Sequence, residues 1–529
     1  MAREACWSGM DLTLRFLAVI VAGLCGMLPA HAQTALPALE RGVAITDPYA
    51  LRELDRGKFG LASMLVPGRT TDAPLNDGEL FALPSMAAVR KALDEEFERY
   101  AQHRRAEHPD ETIGVETSSD LQLFDRTLLY SPATRFVLAG IVNRMDRAYV
   151  ARQTCGEIRL IYRLAQPDAP AVGDHAVSPR LPMTLNLVLK ARDDRATDGK
   201  ALTCAEIARR WLAAGEWPQR GVALAERLIS EGGPLASVRP ANIARLETNL
   251  QIAHTVKSQG RDFRTDYLLK VFDYDARGKI FAEATLENQF DRERILADDK
   301  LRQAFKAWLL EPAHFGELDR GTILIPKQFL ATRALAPTPA GFSNSDLQPA
   351  FGLMQGEGAD PLFTEGDVVT ALEKAARRGV QLQNIRSVAG FERRLNDITC
   401  AGCHQTRGIG GFHFPGVDWM AAKPSNSTVV PGSPHFFGDQ IRRRDILKAM
   451  RDGERADYSR GFSIRPQLRG SRELAGTEYE DGWGAPCYGQ NAEPADNDRS
   501  FKSWICARGL ACQVMSDASR MGMCFVGGR

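Results

Sequence analysis

Hydrophobic and polar positions follow strand-like patterns along much of the first 333 residues. Apolar runs, or apolar residues at every second position, predict strands over residues 136–142, 158–164, 183–189, 267–274, 279–286 and 322–326. Asp275-Ala276-Arg277-Gly278 separates the fourth segment from the fifth. A short polar stretch that ends in glycine is typical of a hairpin turn, so these two segments are expected to pair.

Other stretches repeat their apolar residues at helical spacing. They predict helices over residues 86–100, 203–211, 219–229 and 301–309. Ser85 and Thr203 precede the first two and are the expected N-caps. Residues 33–80 show little periodicity and are expected to form an extended lead-in with turns. Strands interleaved with helices, without regular βαβ alternation, predict an α+β domain with a largely antiparallel sheet over residues 33–333.

The pattern changes after this domain. Residues 334–350 contain prolines and serines and are the expected linker. A helix is predicted over residues 368–378, with Thr364 and Asp367 as a capping-box pair, and a second helix over residues 388–398. The second helix runs directly into Thr399-Cys400-Ala401-Gly402-Cys403-His404.

This last stretch contains C-x-x-C-H, the sequence to which a c-type haem is attached. Two thiols one helical turn apart reach two vinyl groups on one edge of a porphyrin, and the adjacent imidazole can ligate the iron. Chance would supply on the order of 0.003 such matches in this chain. A redox-active disulfide and half of a zinc site are the remaining readings. No second Cys/His pair at zinc spacing supports the zinc reading, and His413 alone is weak support.

Residues 351–475 resemble the class I c-type cytochromes, in which a helix also precedes the motif. The resemblance implies one covalent haem c, thioethers to Cys400 and Cys403, and His404 as an axial iron ligand. It also implies a mainly α-helical haem domain. Pro415 lies near the position from which a class I proline offers its carbonyl to the ligand histidine.

The second axial ligand of the iron is open at this stage. The second axial position is occupied by a methionine or a histidine, or it is vacant or water-bound. The candidate ligand residues are His413, His435, Met420 and Met450. Six-coordinate iron indicates electron transfer through a redox partner protein. Five-coordinate iron would suit a peroxidase-like or oxygenase-like enzyme, or a haem-based sensor. Dihaem peroxidases need two attachment motifs, whereas this chain has one. Whether the protein is an enzyme is therefore left undecided.

The N-terminus predicts export. Arg15 precedes the apolar run 16–28, and Ala30-His31-Ala32 matches a signal-peptidase site, so residues 1–32 are the expected signal peptide. The run is short for a membrane span, and no later stretch approaches one. The protein is therefore expected in the periplasm or secreted, without a transmembrane segment after cleavage.

Six cysteines remain after the signal peptide and the haem motif are set aside. In an oxidising compartment they predict three disulfides, formed by Cys155, Cys204, Cys487, Cys506, Cys512 and Cys524. Cys155 with Cys204 is plausible because the other four cluster at the C-terminus, where the pairing stays open. Residues 476–529 are the expected disulfide-rich module, which would serve stability or protein contact.

Charge and motif content exclude some functions. The formal net charge is +1, which argues against a generic nucleic-acid-binding protein. Arg442-Arg443-Arg444 is expected to be a solvated helix face, and less often a docking patch. Residues 33–333 hold no nucleotide-binding, zinc-protease or hydrolase motif.

Polar residues beside predicted strands could line a cleft at 143–147 and 155–157, although such groups are more often buried ion pairs. The histidines of this domain are expected to be structural or surface residues: His175, His254 and His314. The domain resembles uncharacterised secreted bacterial proteins, and that resemblance implies no activity.

Overall fold

The structure is a computed structural model. It describes residues 42–66, 68–69, 74–151, 153–166, 180–193, 201–255, 265–338, 362–406, 434–461, 486–488, 505–506, 509–514 and 521–526. The expected signal peptide therefore lies outside the described residues, as does most of the expected linker. None of the helices in the described ranges is both long and apolar enough to cross a membrane.

Helices and strands are interleaved along the described part of the chain. The helices are α1 (Pro48–Arg56), α2 (Leu61–Leu65), α3 (Asp77–Ala82), α4 (Ala87–Glu107), α5 (Cys204–Ala214), α6 (Gly221–Ile229), α7 (Arg292–Ala297), α8 (Asp299–Leu309), α9 (Pro312–Arg320), α10 (Glu365–Arg377), α11 (Val388–Ile398), α12 (Cys400–Thr406) and α13 (Pro434–Asp452). The strands are β1 (Ala44–Ile45), β2 (Ile113–Gly114), β3 (Leu121–Leu123), β4 (Arg135–Arg144), β5 (Glu157–Ala165), β6 (Arg180–Lys190), β7 (Ile243–Thr255), β8 (Thr265–Asp275), β9 (Ile280–Ala284), β10 (Arg333–Thr338), β11 (Pro486–Tyr488), β12 (Leu510–Val514) and β13 (Met521–Val526).

The first ten strands form one sheet. Its main order is β1-β4-β5-β6-β7-β3-β2, and β8 pairs with β7, β9 and β10. Only β2 with β3 is parallel; the other pairs recorded in this sheet are antiparallel. The α+β architecture with a largely antiparallel sheet is therefore confirmed, as is the hairpin of β8 and β9.

The sheet separates two hydrophobic clusters. Side chains point alternately to opposite faces along a strand, and β8 shows this directly. Leu268 and Phe272 belong to a first cluster with α1, α4 and α5, whereas Leu269 and Val271 belong to a second. The second cluster also contains apolar residues of α8 to α12. The helix that carries the C-x-x-C-H motif is thus packed among the helices that cover one face of the sheet.

Several local predictions need correction near the N-terminus. Residues 42–82 are not an extended lead-in, because they contain β1 and three short helices. Asp47 caps α1 by accepting from Ala50 N at 2.8 Å, and Asn76 caps α3 with Glu79 as its capping-box partner. Ser85 is not the N-cap of α4, since a 3₁₀ turn covers Pro84–Met86 and the helix begins at Ala87.

Two further corrections concern the segments that follow the hairpin. Residues 322–326 do not form a strand, because Asn288 takes the place of a partner strand. Its side chain donates to Ile323 O and accepts from Ile325 N, both at 2.9 Å. The linker does not begin at residue 334 either, since β10 runs to Thr338 and pairs with β8. The division into domains otherwise stays a prediction.

The disulfide predictions are confirmed in part. Cys155 is bonded to Cys204, and Cys487 to Cys512. Cys506 is also disulfide-bonded. Near the C-terminus β11, β13 and β12 form a small antiparallel sheet, which agrees with a short disulfide-bearing module.

Candidate functional site

The C-x-x-C-H motif begins a helix that is fixed at its first turn. Thr399 caps α12, because its hydroxyl accepts from Gly402 N at 3.1 Å and donates to Asn396 O at 2.9 Å. The N–H of Ala401 donates to the buried side chain of Gln289 at 2.9 Å. The helix therefore starts in a defined position against α11 and against the loop that precedes α7.

The two cysteines of the motif remain thiols, whereas five others are disulfide-bonded: Cys155, Cys204, Cys487, Cys506 and Cys512. The Sγ atom of Cys400 lies 3.6 Å from the carbonyl oxygen of Glu287, and Cys403 is only 2% exposed. Burial, reinforced by the negative charges of Glu247 and Glu287, strongly raises the pKa of Cys400. Redox-active cysteines usually have lowered pKa values, so this environment argues against the redox-disulfide reading.

Cys400 lines a cavity of about 360 Å³, which falls within the usual range for small-ligand pockets. The lining comes from the sheet, from the loops after β9 and α9, and from the segment before α12. Its charged members are Arg144, Arg147, Arg159, Arg245, Glu247, Asp273, Glu287, Lys327, Asp397 and Arg460. Six of these are cationic and four are acidic, so the described lining carries two more positive charges than negative ones.

One end of the cavity is a balanced network of ions. Arg159 donates to Glu157 and Glu247 at 2.9 and 3.1 Å, and Arg245 pairs with the same two carboxylates at 2.9 and 2.8 Å. Arg147 joins Glu157 at 3.1 Å to Glu287 at 2.6 Å. Burial opposes ionisation of Glu157, but the three guanidinium groups outweigh it and hold its pKa well below the usual value.

A second ion network is centred on Asp146, which is 2% exposed and contacts the lining residues Arg144 and Arg460. Its carboxylate accepts from Arg144 at 2.9 Å and from Arg442 and Arg460 at 3.0 Å. Burial opposes ionisation here too, but the surrounding arginines, Arg144 and Arg443 foremost, hold the pKa of Asp146 well below its usual value. Of residues 143–147, Arg144 and Arg147 line the cavity, and both also form buried ion pairs, which the sequence analysis favoured for this stretch.

The arginine run 442–444 needs a correction. Its middle member, Arg443, is 6% exposed and pairs with Asp439 at 2.7 Å. Arg442 bridges Asp439 and Asp146. Two of the three arginines therefore belong to the buried network rather than to a solvated helix face. Sequence alone missed this because the partner, Asp146, lies almost three hundred residues earlier.

The candidate iron ligands are only partly placed. His404 and His435 lie in α12 and α13, while His413 and Met420 lie outside the described residues. Met450 is also in α13 and packs against the first hydrophobic cluster, whereas Cys400 packs against the second. The structure therefore does not bring Met450 to the cavity.

Two histidines of the large domain behave as expected for structural residues. His314 stacks on Trp308, with 4.3 Å between ring centroids, and its Nδ1 lies 2.8 Å from the carbonyl oxygen of the same residue. His254 lies in β7, where partial burial lowers its pKa. His175 lies outside the described residues.

Among the described residues, neither motif cysteine belongs to a cluster of potential metal ligands. The one such cluster found there, Cys487, Cys506 and Cys512, consists of disulfide-bonded cysteines. The motif itself fits covalent haem attachment, since two thiols lie one helical turn apart and one of them faces a cavity.

No protein-family model, curated protein or solved structure matches this chain.

Proposed function

We propose that this chain is an exported c-type cytochrome that carries one covalent haem and transfers electrons. Cys400 and Cys403 would form the thioether bonds, and His404 would ligate the iron. The observation that supports this most is the state of the cysteines. The two motif cysteines are thiols and Cys400 lines a cavity, while Cys155, Cys204, Cys487, Cys506 and Cys512 are disulfide-bonded.

When bound, the haem would supply a one-electron redox centre. The chain's own residues would fix where that centre sits. Gln289 and Asn396 hold the first turn of α12, so the two thiols have little freedom relative to the sheet. The cavity beside Cys400 is lined by both cationic and acidic side chains. Export is part of the proposal, because haem attachment to such motifs takes place outside the bacterial cytoplasm. A redox partner protein is then expected.

Covalent attachment is tested by expressing the full chain with a bacterial cytochrome c maturation system. We expect haem to stay with the chain on a denaturing gel, and the double variant Cys400→Ser/Cys403→Ser to lose it. The matched control is Cys155→Ser/Cys204→Ser, which also removes two cysteines but leaves the motif intact. Haem that stays with the motif variant, or that never stays with the unmodified chain, would contradict the proposal.

Electron transfer is tested separately by the spectrum of the reduced protein with and without carbon monoxide. We expect a low-spin spectrum that carbon monoxide does not change, since both axial positions would be occupied. A spectrum that shifts on addition of carbon monoxide would instead favour a haem enzyme or a gas sensor.

A further inference from the structure

Three cysteine sulfurs lie close together near the C-terminus. Cys487 in β11 is bonded to Cys512 in β12. Cys506 belongs to a different disulfide, yet its Sγ atom lies within 4.8 Å of the Sγ atoms of both. Cys506 also packs against Cys487 in a small apolar cluster. A sulfur atom of one disulfide is therefore a direct neighbour of both sulfur atoms of another.

The surroundings of these sulfurs differ in their access to solvent. Cys487 is fully buried, whereas Cys506 and Cys512 are half-buried. Disulfides exchange when a thiolate attacks one of the two sulfurs, so the rate depends on which sulfur can be reached. A small thiol in solution is therefore expected to act first at the disulfide of Cys506 or at Cys512, and not at Cys487.

The disulfide of the large domain provides a contrast within the same chain. It joins Cys155 to Cys204. In the part of the chain that the structure describes, no third cysteine sulfur lies beside it as Cys506 lies beside Cys487 and Cys512. A thiolate released near Cys155 would thus have no neighbouring disulfide to attack, whereas a thiolate released at Cys506 would have one.

We propose that these three sulfurs form a thiol–disulfide exchange site, in which Cys506 takes the place of Cys487 or Cys512 in their shared bond. An external small thiolate starts the reaction. It attacks the sulfur to which Cys506 is bonded and forms a mixed disulfide with it, and Cys506 leaves as a thiolate. The Cys506 thiolate then attacks Sγ of Cys512. A Cys506–Cys512 bond forms, the Cys487–Cys512 bond breaks, and Cys487 leaves with the electron pair and takes up a proton.

The exchange forms one S–S bond for each one that it breaks, so it needs an initiating thiol but no separate oxidant or reductant. Its structural consequence is the loss of the covalent tie between β11 and β12. The C-terminal module would then respond to thiols by changing its disulfide pairing. This inference goes beyond the proposed function, because neither Cys400 nor Cys403 takes part in it.

The test is disulfide mapping by peptide mass spectrometry. The full chain is incubated with a small amount of reduced glutathione at mildly alkaline pH, quenched with acid and alkylated. We expect new peptides that join Cys506 to Cys512 or to Cys487. They should be roughly tenfold or more as abundant as peptides that join Cys506 to Cys155 or Cys204, because neighbouring sulfurs react within one ordered site. A sample kept in acid with the same glutathione should retain its original links, since the thiolate is the attacking species.

Absence of the Cys506 links at mildly alkaline pH would overturn the proposal. Equally abundant links to Cys155 and Cys204 would also overturn it, because they would indicate random pairing in an unfolded chain. The Cys400→Ser/Cys403→Ser variant is the control for the motif thiols and should form the same Cys506 links. Loss of the links in this variant would contradict initiation by an external thiol. Haem attachment does not enter the measurement, so this proposal and the proposed function can fail independently.

Discussion

The thiol of Cys400 lies 3.6 Å from the carbonyl oxygen of Glu287, whose carboxylate in turn accepts from Arg147 at 2.6 Å. The cysteine belongs to a C-terminal helix, whereas Arg147 follows β4 of the large sheet. The C-x-x-C-H motif and residues of the large sheet therefore meet at one cavity. Residues 33–333 supply most of the charged side chains that line this cavity, so the large predicted domain sets the charge around Cys400.

Gly402 is required between the two cysteines for steric reasons. A Cβ atom at this position would lie 2.2 Å from Oδ1 and 2.4 Å from the backbone oxygen of Asn396. We expect Gly402→Ala to lower the free energy of unfolding by about 1–3 kcal/mol and to reduce haem attachment. Gly366→Ala is the control, because the nearest atom there is 3.8 Å away. Equal urea midpoints for the two variants would contradict the packing described for α12.

Asp146 is the carboxylate on which three arginines converge. Asp146→Asn would leave Arg144, Arg442 and Arg460 without that negative charge, and we expect a loss of about 3–5 kcal/mol in unfolding free energy. Asp445→Asn is the matched control, since its side chain is 62% exposed and pairs only with Lys448 in the structure as described. The control should change stability by less than about 0.5 kcal/mol. Chemical denaturation of both variants measures the difference.

Sequence predicted best those helices and hairpins whose determining residues lie close together in the chain. The capping box of Thr364 and Asp367 does start α10, and Thr203 does cap α5. The β8–β9 hairpin was also predicted from sequence, because its turn lies between two strand-like segments. Strand β7 was missed. Its polar residues Glu247 and Thr248 break the expected pattern, although both are buried by partners distant in sequence.

The disulfide between Cys155 and Cys204 closes a long loop in the large domain, with 49 residues of separation. A cross-link of this span restricts the unfolded chain, and its removal should cost about 4 kcal/mol. We therefore expect Cys155→Ala/Cys204→Ala to unfold at clearly lower urea concentration than the unmodified chain. An unchanged urea midpoint for this variant would mean that the disulfide does not stabilise the fold.

Asp77 makes stability depend on pH. Burial raises its pKa from 3.8 to about 8, so the folded chain keeps this carboxyl protonated where the unfolded chain would ionise it. Its contribution to stability is therefore fully present below about pH 4 and is lost as the pH rises through about 8. Asp55 has the same sign, but its pKa is raised only to about 6. We expect Asp77→Asn to gain stability relative to the unmodified chain between pH 6.5 and 8.5. Parallel denaturation curves over this interval would contradict the assignment.

The candidate site could be predicted only in part, for a physical reason. Sequence drew attention to Cys400 and Cys403 through the spacing of the two thiols, and the structure places Cys400 on the cavity. Residues 143–147 were noticed as polar, but nothing local indicated that Arg144 would meet Arg442 and Arg460. Buried ion networks are assembled from distant segments, and a single sequence does not show which charges will share one carboxylate.

The most direct test of the central claim is the intact mass of the full chain after expression with the cytochrome c maturation system. The account predicts a mass increased by one haem, and no increase for the Cys400→Ser/Cys403→Ser variant prepared in the same way. An unmodified chain with no added mass, in cells that mature a known c-type cytochrome alongside it, would contradict the account.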